Sequence, residues 1–218
     1  MSKKIILSLL ALLFLFYAYG QVDDPRSKKI IDDMAARFKT YPSVSIDFQL
    51  QIQSETVQDG KISIKGNMYK LELPDLIFSF DGTKIYQYQL AHKEVNIFNP
   101  DPDEDDETFQ LLNPQTYFNI SSKSFKSNLV KESTQYNRRV YEIDLYPIQL
   151  KTTQFSRIHI MVERTTFQLV YLKTFMIDGI QNELTFKPYD IQQTPLRDSF
   201  FMFNRLEHPG WEVIDLTF

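Results

Sequence analysis

The sequence predicts a mainly β protein (α+β): a single strongly curved antiparallel sheet forming an incomplete barrel, covered by a helical lid. Three observations predict it. From residue 44 onward, apolar and polar residues alternate with period two in runs separated by Gly, Pro and Asp turn signals. Only two or three stretches, near the N-terminus and in the middle, switch to helical spacing, and the clearest has a single apolar stripe. The 218 residues include 18 Phe and 12 Tyr but only 6 Gly, an apolar surplus able to fill a large core or line a large cavity. A closed barrel needs no helical cover, so helices with one apolar stripe among these strands read as a lid on a concave face.

The first element is a leader. Lys3 and Lys4 form a basic start, Ile5 to Tyr17 is an apolar run broken only by Ser8, and Ala18-Tyr19-Gly20 offers small residues where a signal peptidase reads. Residues 1–20 are read as a cleaved signal peptide and residues 21–218 as one exported domain, soluble and periplasmic. The apolar run is shorter than the roughly twenty residues that span a bilayer. The chain has no Cys, so no lipid-attachment cysteine follows the leader.

Asp24 is a good N-cap, Pro25 suits the first helical position, and Ile30, Ile31, Met34, Ala35 and Phe38 recur at helical spacing until Pro42. Val44, Ile46, Phe48, Leu50 and Ile52 then alternate with polar residues, the clearest half-buried strand in the chain. Asp59-Gly60 reads as a turn into Lys61–Leu73, which Gly66-Asn67 interrupts as a bulge or sharp bend. Leu76–Phe80, the turn Asp81-Gly82, Thr83–Leu90 and a strand through Val95 and Ile97 continue the meander. Residues 99–106 form a charged, proline-broken loop, followed by a short helix over 107–112 and a possible further turn over 116–118. Strands resume over 126–132, 139–146, 156–163, 167–177 and 180–186, giving ten or eleven in all, with a tail rich in Phe.

Composition excludes several function classes. A net charge of −4 with scattered basic residues lacks the patch that nucleic-acid binding needs. Zero Cys removes disulfide scaffolds, thiol nucleophiles and Cys-ligated metals. His92, His159 and His208 show no ligand spacing, and no nucleophile elbow or phosphate loop occurs. Glu142 and Asp144 share a strand face and read as exposed strand charge. Asp101, Asp103 and Asp105 open like a calcium loop, but its sixth and twelfth positions are Asp106 and Leu112, so a solvated acidic loop is the better reading. Asn119-Ile-Ser121 would be a glycosylation acceptor only in a eukaryotic secretory setting. No metal, cofactor or catalytic residue is expected.

The order of segments resembles the periplasmic outer-membrane lipoprotein carrier proteins of the LolA type. The points of contact are the leader without a following Cys, a helix leading into Val44-Ser-Ile-Asp-Phe48, and Gly60-Lys-Ile-Ser-Ile-Lys-Gly66. They continue with Phe78-Ser-Phe-Asp-Gly82-Thr-Lys-Ile-Tyr86-Gln-Tyr88, then Val95, Phe109-Gln-Leu-Leu112, Phe201-Met-Phe203 and Pro209-Gly-Trp-Glu-Val213-Ile-Asp215. The resemblance implies a bent open barrel whose hydrophobic cavity carries acylated lipoproteins from an inner-membrane ATP-driven transporter to an outer-membrane acceptor, with no bond made or broken. Relatives carry a Lys-Arg-Pro segment whose Arg latches the lid; here the stretch reads Lys65-Gly-Asn-Met-Tyr69.

Parity then assigns the lipid-binding cavity to Ile46, Phe48, Leu50, Ile64, Met68, Leu71, Phe78, Phe80, Tyr86 and Tyr88, and the lid to Met34, Phe38, Phe109 and Leu112. The competing expectations are a periplasmic sensor or scaffold that binds a lipid or protein signal on the same curved sheet, and a hydrolase assembled from distant residues.

Overall fold

The computed structural model describes residues 23–53, 55, 57–100, 113–149 and 154–217. The leader, the acidic loop, Phe109 and Leu112 lie outside the described residues. Helix α1 (Pro25–Phe38) begins as expected: the Asp24 carboxylate accepts from the backbone N–H of Arg26 at 3.0 Å and of Ser27 at 3.2 Å, with Pro25 in the first turn. A second helix, α2 (Pro114–Phe118), is one turn long.

The strands are β1 (Ser43–Ile52), β2 (Gln58–Lys65), β3 (Met68–Glu72), β4 (Leu76–Phe80), β5 (Ile85–Gln89) and β6 (Glu94–Phe98) in a first meander. A second meander holds β7 (Phe125–Gln135), β8 (Arg138–Pro147), β9 (Phe155–Glu163), β10 (Leu169–Met176) and β11 (Gln181–Phe186). The tail adds the short β12 (Asp190–Gln192) and β13 (Glu212–Asp215). Joined in the order β13-β6-β5-β4-β3-β2-β1-β11-β10-β9-β8-β7, with β12 beside β1, they make one curved sheet in which the edges β13 and β7 do not meet. All pairs are antiparallel except β13 with β6, a pairing the alternation in the tail is too short to announce.

The seam of the two meanders is the contact of β1 with β11, where Phe48 faces Phe186 and Leu50 faces Leu184. On its other side, β1 sets Phe48 opposite Gly60. Gly60 is therefore inside β2 and is not the expected turn. The reason is steric: a Cβ at Gly60 would sit 2.3 Å from Cζ of Phe48, so glycine is what lets the Phe48 ring lie flat across the neighbouring strand. Gly66-Asn67 is likewise a full two-residue turn from β2 to β3 and not a bulge, with Lys65 facing Met68 and Gly66 at φ +57°.

The face bearing the helices, called inner here, holds the main core. Ile30, Ile31 and Met34 of α1 and Tyr117, Phe118 and Ile120 around α2 pack on Ile46, Phe48, Ile64, Leu71, Ile143, Ile160, Leu172 and Phe186, all buried. The outer face of the first meander is also covered. The tail crosses it on a floor of small buried side chains, Ser43, Ser45, Ser63 and Ser79. Ser79 donates to the Phe201 carbonyl at 2.7 Å, Ser43 accepts from the Leu196 N–H at 3.1 Å, and Lys65 reaches Asp198 at 2.6 Å. Beyond them Phe203, Trp211 and Val213 close on Tyr86, Tyr88, Val95 and Ile97, a second apolar cluster.

Gly60→Ala should destabilise the fold by about 1–3 kcal/mol through overpacking against Phe48. Chemical denaturation checks this, and adding Phe48→Leu should recover part of the loss relative to Phe48→Leu alone. An unchanged midpoint for Gly60→Ala would show that the ring has room to move.

Candidate functional site

The inner face opens at one end of α1. Between the C-terminal end of α1, the start of β1 and the β2–β3 turn lies a cleft of about 300 Å³, lined by Phe38, Lys39, Tyr41, Val44, Ile64, Gly66, Asn67 and Asn119. That is the lower end of the roughly 300–1,000 Å³ typical of ligand pockets. Its floor, Val44 and Ile64, belongs to one paired rank of the sheet, and its wall, Phe38, stacks on Phe118 at 4.6 Å between ring centroids. Lys39 is exposed at the rim and supplies the cation there.

Helix α1 is held unequally. At its start the Asp24 N–H donates to the Ser127 carbonyl on β7 at 2.9 Å, and the hydroxyls of Ser27 and Ser127 share a buried hydrogen bond at 2.7 Å. Arg26 pairs with Glu132, which also binds Arg164 at 2.6 Å, and both guanidinium groups lie over the Tyr141 ring. These two arginines pull the Glu132 carboxyl below its ordinary range, against a smaller opposing effect of burial. Midway, Asp32 accepts from the Ser122 N–H and hydroxyl at 3.2 and 2.8 Å. At the cleft end the contacts are aromatic: Phe38 with Tyr41, Phe118 and Tyr189. Tyr189 is fixed by donating to and accepting from the Leu169 backbone, both at 3.1 Å, and burial raises its hydroxyl pKa well above normal.

Seven of the residues assigned to a cavity by parity, Ile46, Phe48, Leu50, Ile64, Leu71, Phe78 and Phe80, lie on the inner face, with Met34 packed over them and Phe38 at the cleft. Their closure is tight: Ile46 is 0% exposed and Phe48 1%, so a ligand on this face must displace what covers it. Three assignments are corrected. Met68 faces Lys65 directly after the two-residue turn and so takes the outer side, opposite to Tyr69. Tyr86 and Tyr88 also face outward, because Ile85 is the inner residue of β5, opposite Phe80 and Phe98. Both tyrosines are apolar-packed for another reason, the tail laid over them. Burial, with the Glu207 carboxylate adding to it, pushes the Tyr88 hydroxyl up to about 12. Lys65, in the segment where relatives carry a latch arginine, serves the tail and not the helix.

Sequence reasoning also misread Glu142 and Asp144. They are 5% and 8% exposed, on the outer face of β8, and hold His159 of β9 between them. His159 Nδ1 is 2.8 Å from Asp144, and its Nε2 is 3.8 Å from Glu142. Arg157 donates to Asp144 at 3.1 Å, and the Ser133 hydroxyl donates to Glu142 at 2.6 Å. Burial alone would raise the Asp144 pKa, but His159 and Arg157 outweigh it and hold the carboxyl below its ordinary range. The hydroxyl meets a carboxylate and not the imidazole, so the geometry is that of an ion cluster on the sheet and does not align a nucleophile with a base. The signal for it was present in sequence, as Glu142, Asp144, Arg157 and His159 at alternating positions, but only register β8 to β9 sets Asp144 opposite His159.

No protein-family model matches the chain, and no curated protein matches it. Solved structures do. An uncharacterized conserved protein from Thermus thermophilus superposes with a TM-score of 0.59 at 8% identity, over 87% of this chain and 99% of that one. LprF from Mycobacterium bovis superposes with a TM-score of 0.50 at 9% identity, over 80% of this chain and 98% of that one. A LolA superfamily protein from Nitrosomonas europaea gives 0.40 at 10% identity, over 81% and 97%. The Thermus and Mycobacterium superpositions establish a shared fold. The architecture is the open, bent sheet with helices on one face that the resemblance to LolA-type carriers implied.

The depressed Asp144 pKa makes a pH prediction. A carboxyl whose folded pKa lies below its unfolded value of about 3.9 stabilises the fold above that value and loses the contribution as pH falls through the folded pKa. Thermal melts taken downward from neutral pH should therefore show a loss of stability in acid that Asp144→Asn makes shallower. At neutral pH the same variant should cost about 1–3 kcal/mol, because it leaves His159 and Arg157 without their carboxylate.

Proposed function

We propose that the chain is a periplasmic, non-enzymatic carrier that binds the acyl chains of lipoproteins against the inner face of its sheet. It takes them from an inner-membrane ATP-driven transporter and delivers them to an outer-membrane acceptor. The observation that carries this reading is the cleft under the C-terminal end of α1, where Val44 and Ile64 of the apolar inner face are reached past a rim with one lysine, Lys39. Among the described residues no helix is long and apolar enough to cross a membrane. The bent open sheet with helices on one face, shared with LprF from Mycobacterium bovis, is an architecture that can enclose an apolar chain.

Magnitudes support exchange over permanent storage. Lifting α1 exposes Ile30, Ile31 and Met34, at about 1.5–3 kcal/mol each. A dozen methylenes buried in their place return about 10 kcal/mol at roughly 0.8 kcal/mol per CH₂. The cost offsets about half or more of the gain, so chains bind and can still leave, as a carrier between two membranes requires.

A sensor or scaffold has one observation in its favour: Leu206 and Met202 on the tail are 90% and 51% exposed. It predicts a stable protein complex and no transfer. The test is transfer of a fluorescent acylated peptide between donor and acceptor vesicles, with mass spectrometry of lipid that copurifies. Phe38→Glu should weaken acyl binding at least about tenfold, or about 1.4 kcal/mol. Leu206→Glu should leave it unchanged. No transfer by the wild type, or the reverse pattern for the two variants, overturns the carrier reading.

A further inference from the structure

On the second meander the inner face is built in ranks across the strands. One rank reads Leu50, Leu184, Leu172, Ile160, Ile143 and Leu129, all apolar. The next reads Ile52, Asn182, Thr174, Ile158, Leu145 and Ser127. Ser127 spends its hydroxyl on Ser27 of α1. Asn182 and Thr174 have no such partner: each residue is 4% exposed, and Asn182 Oδ1 and Thr174 Oγ1 make no hydrogen bond. The two are directly paired across β10 and β11, so their side chains share one spot on the sheet.

Buried polar atoms without a partner are rare and destabilising, and Val at 174 or Leu at 182 would keep the branching of the side chain without the polar atoms. Such a pair on an apolar face can be completed by a group from outside the chain. Its demand is specific. The Asn182 carbonyl oxygen needs a donor, and the Thr174 hydroxyl can donate to a carbonyl. One group supplies both in the right proportion: a secondary amide, with one N–H and one C=O. An ester supplies the carbonyl alone and leaves the Asn182 oxygen facing a second acceptor.

We propose that Thr174 and Asn182 form a polar subsite for the amide of an N-acylated ligand, so that the site selects amide-linked over ester-linked acyl chains. The ligand N–H donates to Asn182 Oδ1, and its carbonyl accepts from Thr174 Oγ1. The flanking Ile52, Ile158 and Leu172 receive the first methylenes of the chain. This inference rests on the inner face being the acyl-binding face and adds which linkage that face reads.

The test uses two probes of equal length, N-palmitoylglycine amide and its ester isostere, palmitoylglycolic amide, titrated into the full chain by calorimetry. The wild type should bind the amide-linked probe about tenfold more tightly. Thr174→Val and Asn182→Leu should each bring the preference to within about twofold, and neither should lower the melting temperature, because each removes a buried polar atom that has no partner in the protein. Equal affinity of the wild type for both probes overturns the inference while leaving the acyl-carrier reading intact. Binding of neither probe overturns both. A melting temperature that falls in both variants shows that the side chains stabilise the free protein, and also overturns it.

Discussion

An open sheet with one largely apolar face has to be covered, and here the cover is the stripe of Ile30, Ile31 and Met34 on α1. The rest of the inner architecture depends on that contact. Its attachment is polar and multiple at the start of the helix, through Ser127 and the Arg26–Glu132–Arg164 group, and aromatic at the end, through Phe38. Hydrogen bonds and ion pairs fix direction, whereas ring contacts slide and re-form at small cost. The cleft lies at the end held by rings. A helix pinned at one end and resting at the other is the arrangement a swinging lid needs.

The outer face solves the opposite problem in two ways. Over the first meander the strands carry apolar residues on both sides, and the tail buries the outer set beneath Phe203 and Trp211. The serine floor lets that tail approach closely, and Ser79 hydrogen-bonds its backbone. Over the second meander no tail follows among the described residues. There the outer side is closed by charge, with His159 between Glu142 and Asp144 and with Lys173 paired to Glu183 at 2.7 Å. One half of the molecule is therefore a three-layer sandwich of helix, sheet and tail, and the other a two-layer structure with an ionic outer surface.

Much of this was legible in the sequence because period and parity are local. The α1 cap, the alternation of β1 and the turn at Asp81-Gly82 could be read directly. Gly60 could not, since its role depends on a Phe48 ring twelve residues away on the next strand. Tyr86 and Tyr88 failed for an instructive reason: alternation shows that one side of a strand is apolar but not which layer covers it. With two apolar layers in the same half of the sheet, the rule that apolar means inward breaks down. Glu142 and Asp144 failed because strand charge is exposed unless a neighbouring strand brings partners, and pairing is not local. The pairing of Thr174 with Asn182 on the apolar face is likewise set by register, which is not local.

The central claim is that ligand reaches the inner face by moving the C-terminal end of α1. Because the sequence contains no cysteine, two introduced cysteines at the exposed positions Arg37 on α1 and Asp75 beside β4 can carry spin labels without background. The distance between them, measured by pulsed electron resonance with and without a stoichiometric acylated peptide, tests the claim most directly. The account predicts a lengthening of several ångströms on binding. An unchanged distance with the peptide bound would contradict it.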